Sequence, residues 1–267
     1  MLNKESRVIA VSVCVNYDDM LSLVVENNIQ YLKEWYIVTD LTDNKTIALC
    51  KKYNLKCIKS DNWKNKKHDT INKPIFLNKG LKKAFKYKAK RDWILILDAD
   101  IYLTDTVMTY VDINIKTKTF NKEAIYWSPR IFIPEYSTFK ILRNSNFNIL
   151  DIVSLIKTND IYEDEHEIYG AGYFQLFYNE LYYDETKLND FDLKHRDIMH
   201  NLMLKNKDDL ALENTDLLID YDTQNYNLAD IDFSEKFELL NHIPYKVFHI
   251  GNEKINWSKR ITNRWIE

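Results

Sequence analysis

The sequence predicts an α/β protein with a mostly parallel central sheet and helices on both of its faces. Runs of β-branched and aromatic residues alternate with helical patterns of apolar residues through the N-terminal part of the chain. This alternation is typical of strand–helix–strand units, whose right-handed crossovers place successive strands in parallel. The run at residues 93–97 is fully apolar, which indicates a buried strand at the centre of such a sheet.

The elements follow in order from the N-terminus. Val8 begins a β-branched run, and apolar residues from Leu21 to Leu32 then recur at helical spacing before the next run begins at Trp35. Strands are expected at residues 8–15, 35–40, 55–58 and 93–97, and helices at 21–32, 44–53 and 74–88. The regular alternation ends after residue 105, where longer helical and irregular stretches such as residues 144–158 begin. Further strands are expected near Tyr126, Tyr173 and Val247.

Composition excludes several classes of protein. Of the 267 residues, 45% are hydrophobic and 29% are charged, so the chain can bury a substantial core. A formal net charge of -3 argues against nucleic acid as a partner. We expect no integral membrane segment and no secretion signal, because no apolar stretch approaches about 18 residues. Cys14, Cys50 and Cys57 lack CxxC spacing, which predicts reduced thiols in a cytoplasmic protein.

An acidic pair follows the apolar run at residues 93–97. Asp98 and Asp100 are separated by one small residue, and burial of the strand would carry both carboxylates to its exposed end. In parallel sheets, ligands bind beyond the carboxyl ends of the strands. Two hard oxygen ligands at this spacing suit one Mg²⁺ or Mn²⁺ ion that also binds phosphate oxygens. The pair therefore predicts a divalent cation site.

A second candidate segment lies near the C-terminus. His249 ends an apolar run, and it is followed by Gly251 and Lys254. A lone histidine after a strand is more often structural than functional. Here, however, glycine lets the backbone approach a phosphate, and the lysine is a cation that is placed to meet one.

The acidic pair and the tail together resemble the metal and diphosphate signature of GT-A glycosyltransferases. The residues that carry the resemblance are Asp98, Asp100, His249, Gly251, Lys254 and Trp257. In that superfamily the second Asp and the C-terminal His bind Mn²⁺, and the first Asp lies near the donor ribose or the metal. The Lys touches the diphosphate. The resemblance thus implies a Mn²⁺ or Mg²⁺ site at Asp98, Asp100 and His249, with donor contacts from Asp98, Gly251 and Lys254.

Further donor-binding candidates lie in the first half of the chain. The segment that ends with Tyr17 and Asp18 is similar to the GT-A segment that receives the nucleotide, where Tyr17 would stack on the base. Asp18 or Asp40 would accept hydrogen bonds from the base, although Asp18 is also suited to start a helix. Lys73 lies in a stretch that resembles the donor-approaching segment of family-two-like transferases, and a solvated lysine is the alternative.

Two candidates lie in the second half. Gly170 and Gly172 resemble the glycine-containing strand that contacts the donor sugar or the acceptor, so Gly172 is predicted to bind the donor. Asp197 occupies a position similar to the helix start that carries the catalytic carboxylate of inverting GT-A enzymes. It would deprotonate the acceptor hydroxyl as a general base, and a helix-capping role is the alternative. His195 and His200 would suggest a zinc site near Asp197, but no cysteine or second closely spaced ligand set supports it.

The predicted function is a metal-dependent glycosyltransferase that moves a sugar from a UDP- or GDP-sugar to a glycan or other hydroxyl acceptor. Residues 1–267 would form one GT-A domain, in which residues 1–105 bind the nucleotide. Residues 106–267 would bind the acceptor and supply the C-terminal metal ligand. A non-catalytic nucleotide-sugar or glycan binding module is the alternative. The sequence leaves open the donor sugar, the base, the acceptor and the oligomeric state. It also leaves open whether transfer inverts or retains the configuration of the anomeric carbon.

Two other enzyme classes fit the sequence poorly. A phosphatase of the haloacid dehalogenase type also uses Asp-x-Asp after an apolar strand, but it needs Thr or Val at the position that Tyr102 occupies here. A nucleotidyltransferase normally opens with a glycine-rich phosphate loop, and residues 8–18 contain no glycine. Both classes are therefore set aside.

Overall fold

The computed structural model describes residues 5–61, 64–65, 70–71, 73–87, 92–122, 124–163, 174–178 and 240–251. The helices are α1 (Asp18–Asn28), α2 (Asn44–Tyr53), α3 (Lys73–Tyr87), α4 (Asp105–Thr117), α5 (Tyr136–Asn144) and α6 (Ile149–Lys157). The strands are β1 (Val8–Val13), β2 (Glu34–Asp40), β3 (Lys56–Ser60), β4 (Lys64–Asn65), β5 (Thr70–Ile71), β6 (Trp93–Leu97), β7 (Ile101–Tyr102), β8 (Ile125–Trp127), β9 (Arg130–Ile133), β10 (Tyr162–Glu163), β11 (Phe174–Tyr178), β12 (Leu240–His242) and β13 (Val247–Ile250). One 3₁₀ turn, Ile29–Tyr31, follows α1.

The central sheet holds seven strands in the order β12-β8-β11-β6-β1-β2-β3. β1 pairs in parallel with β2 and with β6, β2 pairs in parallel with β3, and β8 does so with β12. β11 runs antiparallel to both β6 and β8. Parallel pairs predominate, so the predicted α/β class with a mostly parallel central sheet is confirmed.

Helices cover both faces of this sheet, as predicted. On one face, Leu81 and Ala84 of α3 pack against residues of β1 and β6 such as Ile9 and Ile94. On the other face, α1 and α2 contribute to the large core cluster that also contains Ala10, Trp35 and Leu95. Successive strand residues point to opposite faces of the sheet, so each strand contributes side chains to the core on both faces. The strands of the sheet centre, β1, β6 and β11, are therefore buried along their whole length.

A second sheet of four short strands has the order β10-β9-β13-β7. β13 lies parallel to β9 and antiparallel to β7, with Phe248 opposite Tyr102. Because β7 begins directly after the turn that follows β6, this sheet brings the last described strand next to the end of the central strand. The aromatic ring of Phe147 packs between Tyr102 and Phe248 and helps to hold the two strands together.

The observed elements differ from the predicted ones mainly at their ends. β1 ends at Val13, two residues before the predicted end, and Asn16 adopts a left-handed conformation with φ 59°. The predicted helical stretch at residues 144–158 is interrupted, because Asn146 and Phe147 both have positive φ and separate α5 from α6. Consecutive left-handed residues cannot continue an α-helix. Among the helices in the described ranges, none is both long enough and apolar enough to span a membrane.

Gly80 allows α3 to lie close to the sheet. A Cβ atom at this position would clash with Val11 and would lie 2.8 Å from Cγ2 of Val38. Both valines are fully buried in the sheet, so neither can move away cheaply. The close approach is to protein rather than to a ligand, and it fixes the height of α3 above β1 and β2.

We predict that Gly80→Ala destabilises the protein despite the higher helix propensity of alanine. Overpacking of a rigid core costs about 1–3 kcal/mol, which exceeds the gain of about 1 kcal/mol from replacing glycine in a helix. Urea unfolding should show a lower midpoint for Gly80→Ala, whereas Lys83→Ala, at an exposed position of the same helix, should unfold like the wild type. Equal or greater stability of Gly80→Ala would contradict this packing account.

Candidate functional site

The candidate site lies at the topological switch point of the central sheet. From β1 the chain proceeds outward to β2 and β3, and it then returns to place β6 on the other side of β1. At such a point the loops that leave the two neighbouring strands diverge and open a crevice beyond their carboxyl ends. Tyr17 and Asp18 follow β1, and Asp98 and Asp100 follow β6. The predicted candidates from two distant stretches of sequence thus face the same edge of the sheet.

The backbone around Asp100 is held from two sides. The amide of Ile250 in β13 donates a hydrogen bond to the Asp100 carbonyl at 3.0 Å. Asn28, at the end of α1, is buried, and its side-chain amide donates to the Ile101 carbonyl at 2.7 Å. Its side-chain oxygen accepts from the Leu103 amide at 2.9 Å. These bonds fix the path of the chain after β6 and therefore the direction of the acidic pair.

Asp100 and His249 are in contact. The Nε2 atom of His249 lies 3.2 Å from Oδ2 of Asp100, and the two side chains are 19% and 14% exposed. The other carboxylate oxygen of Asp100, Oδ1, is buried and has no hydrogen-bond partner among the residues that the structure describes. An unpartnered buried carboxylate oxygen is costly, so this atom is where a ligand would contribute most.

The surroundings of Asp100 favour its ionised form. Burial raises the pKa of the Asp100 carboxyl, but the close contact and hydrogen bond of His249, together with the charge of Lys73, outweigh burial. The net pKa lies below the ordinary value for aspartate. Asp100 therefore carries a negative charge at neutral pH, and its Oδ1 is an anionic acceptor.

Asp98 is held by Lys73. The Nζ atom of Lys73 lies 2.7 Å from Oδ1 of Asp98, and the two side chains are 7% and 22% exposed. Lys73 is the first residue of α3 and is buried, so the alternative of a solvated lysine is wrong, whereas donor binding by Lys73 stays a prediction. The three predicted metal ligands are divided between two pairs, Asp98 with Lys73 and Asp100 with His249. Within the described ranges, no three His, Cys, Asp or Glu side chains form a metal-binding group.

The donor chemistry of the site suits a divalent cation in part. Carboxylate oxygen and imidazole nitrogen are both ligands for Mn²⁺, and carboxylate oxygen is the protein ligand that Mg²⁺ prefers. Oδ1 of Asp100 fits this role, since it is buried, anionic and unpartnered by any described residue. Oδ1 of Asp98 is engaged by Lys73. The fit is therefore best at Asp100.

Sequence reasoning missed Arg130. This residue opens β9, and its Nη1 atom lies 3.1 Å from Nδ1 of His249. The guanidinium lies over the ring of Phe132 at 4.3 Å, and the ring centroid of Phe132 is 4.7 Å from that of His249. The one available signal was a single charged residue at the start of an otherwise apolar strand. Its pairing with β13 is non-local and leaves no pattern in the sequence.

The predicted base-binding residues lie at the ends of β1 and β2. Tyr17 is buried and precedes α1, and Asp18 is the first residue of that helix, as the helix-start alternative anticipated. Asp40 is also buried, and its Oδ1 accepts hydrogen bonds from the amide of Thr42 at 2.8 Å and from its hydroxyl at 2.5 Å. One carboxylate oxygen of Asp40 is therefore occupied by hydrogen bonds within the turn that follows β2. Donor binding by these three residues stays a prediction.

Asp43 is a second residue that sequence reasoning missed. It precedes α2, and its Oδ1 accepts from the Thr46 amide at 3.1 Å as an N-cap. Its Oδ2 accepts from the amide of Asn16 at 2.8 Å and from the hydroxyl of Thr39 at 3.1 Å. The carboxylate thus ties the loop after β1 to the loop after β2, and it positions the segment that contains Tyr17.

Gly251 has a backbone reason for being glycine. Its φ is 117°, a conformation that residues with a Cβ atom rarely adopt, and a Cβ atom would lie 2.7 Å from Cε of Met20 in α1. Its amide donates to the Ile133 carbonyl at 3.0 Å. The chain after His249 therefore passes directly over the start of α1. A contact of Gly251 with the donor stays a prediction.

Several predicted residues lie outside the described residues. They are Gly170, Gly172, His195, Asp197, His200, Lys254 and Trp257. The roles of Gly172 and Lys254 in donor binding and of Asp197 as the general base therefore stay predictions.

Known structures with a similar fold include two synthases and a mutant of LgtC. Glucosyl-3-phosphoglycerate synthase from Mycobacterium tuberculosis, solved with uridine diphosphate, is 9% identical, and the match covers 67% of this chain and 58% of that one with a TM-score of 0.33. An active-site mutant of LgtC is 12% identical, with 95% and 94% covered and a TM-score of 0.39. The 4-diphosphocytidyl-2C-methyl-D-erythritol synthase from Anaerococcus prevotii is 11% identical, with 96% and 93% covered and a TM-score of 0.39.

These similarities concern the fold and assign no activity to the chain. All three TM-scores are below 0.5, at identities of 9–12%. No family model and no curated protein sequence matches the chain. Folds of this kind carry many activities, so function is argued from the site.

We predict that the Lys73–Asp98 pair stabilises the fold measurably, whereas a surface pair does not. Removing one partner leaves a largely buried charge uncompensated, so Lys73→Met and Asp98→Asn should each cost about 1–3 kcal/mol. The double variant should lose less than the sum of the two, as urea unfolding in a chelating buffer would measure. Lys116→Met is the matched control, because Lys116 and Asp112 form a surface pair one helical turn apart and are 66% and 47% exposed. Additive losses would contradict the pairing.

Proposed function

We propose that this chain is a GT-A glycosyltransferase that moves a sugar from a UDP- or GDP-sugar to a glycan or other hydroxyl acceptor. The observation that carries the proposal is the buried, anionic Oδ1 of Asp100 at the switch point of the sheet, which accepts a hydrogen bond from no described residue. A buried carboxylate oxygen is stabilised by a hydrogen-bond donor or by a cation. A divalent cation that accompanies a diphosphate supplies such a partner.

The cation would be held by Asp98 and Asp100, with His249 beside them. When bound, Mn²⁺ or Mg²⁺ would neutralise negative charge on the departing nucleoside diphosphate. Lys73 supports the same chemistry, because its buried ammonium already lies next to the acidic pair. A phosphate oxygen that enters the crevice meets a positive charge there without having to order a flexible lysine.

The other candidates have distinct tasks in this proposal. Tyr17 stacks on the base beyond β1, and Asp18 and Asp40 accept hydrogen bonds from the base. Gly172, Gly251 and Lys254 contact the sugar and the diphosphate. Asp197 removes the proton from the acceptor hydroxyl as that oxygen attacks the anomeric carbon. These tasks follow from the resemblance of the sequence motifs, and the buried ammonium of Lys73 beside Asp98 supports an approach of the donor from the β1–β6 crevice.

We predict that a UDP- or GDP-sugar stabilises the chain in a manner that depends on Mn²⁺. A ligand at a hundred times its dissociation constant raises the free energy of unfolding by about 2.7 kcal/mol, so thermal unfolding should shift by several degrees. Asp100→Asn should abolish the Mn²⁺-dependent part of the shift. Asp61→Asn, on the exposed surface, should keep all of it. A wild-type chain that shifts with no nucleotide sugar, with or without Mn²⁺, would contradict the proposal.

We predict further that Asp197→Ala retains the donor-induced shift and loses transfer. General-base catalysis contributes about 10²–10⁴-fold to the rate, and release of nucleoside diphosphate in the presence of acceptor mixtures would measure the loss. Asp192→Ala, another acidic position nearby in sequence, is the control and should transfer normally. If the wild type binds the donor but transfers to no acceptor, the binding-module alternative would replace the enzyme.

A further inference from the structure

The contact between Arg130 and His249 fixes the position of a hydrogen atom. Nη1 of Arg130 lies 3.1 Å from Nδ1 of His249. A guanidinium group stays protonated in proteins and offers only N–H donors. Nδ1 must therefore be the acceptor, so the ring hydrogen of a neutral His249 lies on Nε2. That hydrogen points at Asp100, whose Oδ2 is 3.2 Å away.

The three side chains thus form a row of hydrogen bonds in which each side chain donates to the next. Arg130 donates to His249, and His249 donates to Asp100. Packing supports this arrangement, because Phe132 lies against both the guanidinium and the imidazole. β9 and β13 are parallel neighbours with Val247 opposite Arg130, so the backbone sets the spacing of the two side chains.

A histidine that binds a metal through Nε2 needs the opposite arrangement. Its Nε2 must present a lone pair, and its Nδ1 must carry the hydrogen and donate it to a carbonyl, a carboxylate or a water. In this chain the group at Nδ1 is itself a cationic donor. His249 can bind a cation through Nε2 only after its ring hydrogen moves to Nδ1 and Arg130 withdraws.

We propose that Arg130 is a positioning residue that holds His249 as a hydrogen-bond donor to Asp100 and thereby opposes metal binding by His249. This inference rests on the proposed function insofar as the site takes a divalent cation. As a consequence, a cation that binds without the donor is held by the carboxylates alone and binds weakly. Phosphate oxygens of the donor complete the coordination, so cation and donor bind together rather than one after the other.

The test replaces Arg130 by a side chain that accepts a hydrogen bond. In Arg130→Gln the new amide would present its oxygen to Nδ1 of His249, which is the arrangement that a metal-binding histidine requires. We therefore expect Arg130→Gln to bind Mn²⁺ alone roughly tenfold more tightly than the wild type, in line with the effect of outer-shell partners on metal affinity. Calorimetric titration with MnCl₂, without nucleotide sugar, measures the dissociation constant.

Two further variants separate hydrogen-bond direction from simple loss of charge. Arg130→Met removes the cation without supplying an acceptor, and it should gain less affinity than Arg130→Gln. Arg143→Gln makes the same change of charge on the surface, where Arg143 is 45% exposed, and it should bind Mn²⁺ like the wild type. Equal affinities of Arg130→Gln and Arg130→Met would overturn the inference, as would an unchanged affinity in Arg130→Gln.

The position of the ring hydrogen can be measured without any metal. Long-range ¹H–¹⁵N spectra of the histidine-labelled chain distinguish the two neutral tautomers, and the spectrum of His249→Gln identifies the signals of His249 among the six histidines. We expect a hydrogen on Nε2 in the wild type and on Nδ1 in Arg130→Gln. A wild-type hydrogen on Nδ1 overturns the inference even if nucleotide sugars bind. If the tautomer is as expected but no donor binds, the proposed function alone fails.

Discussion

The contact between Asp100 and His249 is the interaction on which the site depends. It joins the end of the central strand β6 to β13, two segments that are far apart in the sequence. Closing so long a loop is costly in entropy, and the side-chain contact alone would not repay it. The backbone hydrogen bonds that pair β13 with β7 and β9 offset this entropy cost, because they align the two segments independently of the side chains. The geometry of the site therefore depends on the second sheet as much as on the central one.

Within the described part of the chain, the charges in direct or relayed contact with the acidic pair balance before any ligand enters. Asp98 and Asp100 carry two negative charges, and Lys73 and Arg130 carry two positive ones within direct or relayed contact. Burial of such a set is tolerable only when each charge has a partner, and Oδ1 of Asp100 accepts a hydrogen bond from no described residue. A divalent cation with a diphosphate adds charges of both signs, so joint binding disturbs this balance less than either ligand would alone.

Local patterns predicted the N-terminal half of the fold well and the site in part. β1, β2, β3, β6 and the helices between them follow hydrophobic periodicity, which reports on each segment by itself. The position of Asp98 and Asp100 at a strand end followed from the same pattern. The antiparallel insertion of β11 between β6 and β8, the pairing of Lys73 with Asp98 and the presence of Arg130 did not, because they depend on contacts between distant segments. Such contacts have no period in the sequence.

The most direct measurement is the anomalous scattering of manganese in crystals of the chain grown with Mn²⁺ and uridine diphosphate. Data collected on either side of the manganese absorption edge locate the ion independently of the protein density. The account predicts an anomalous peak within coordination distance of Oδ1 of Asp100, with the diphosphate bound to the same ion. A bound diphosphate with no manganese at Asp100, or a manganese ion far from this carboxylate, would contradict it.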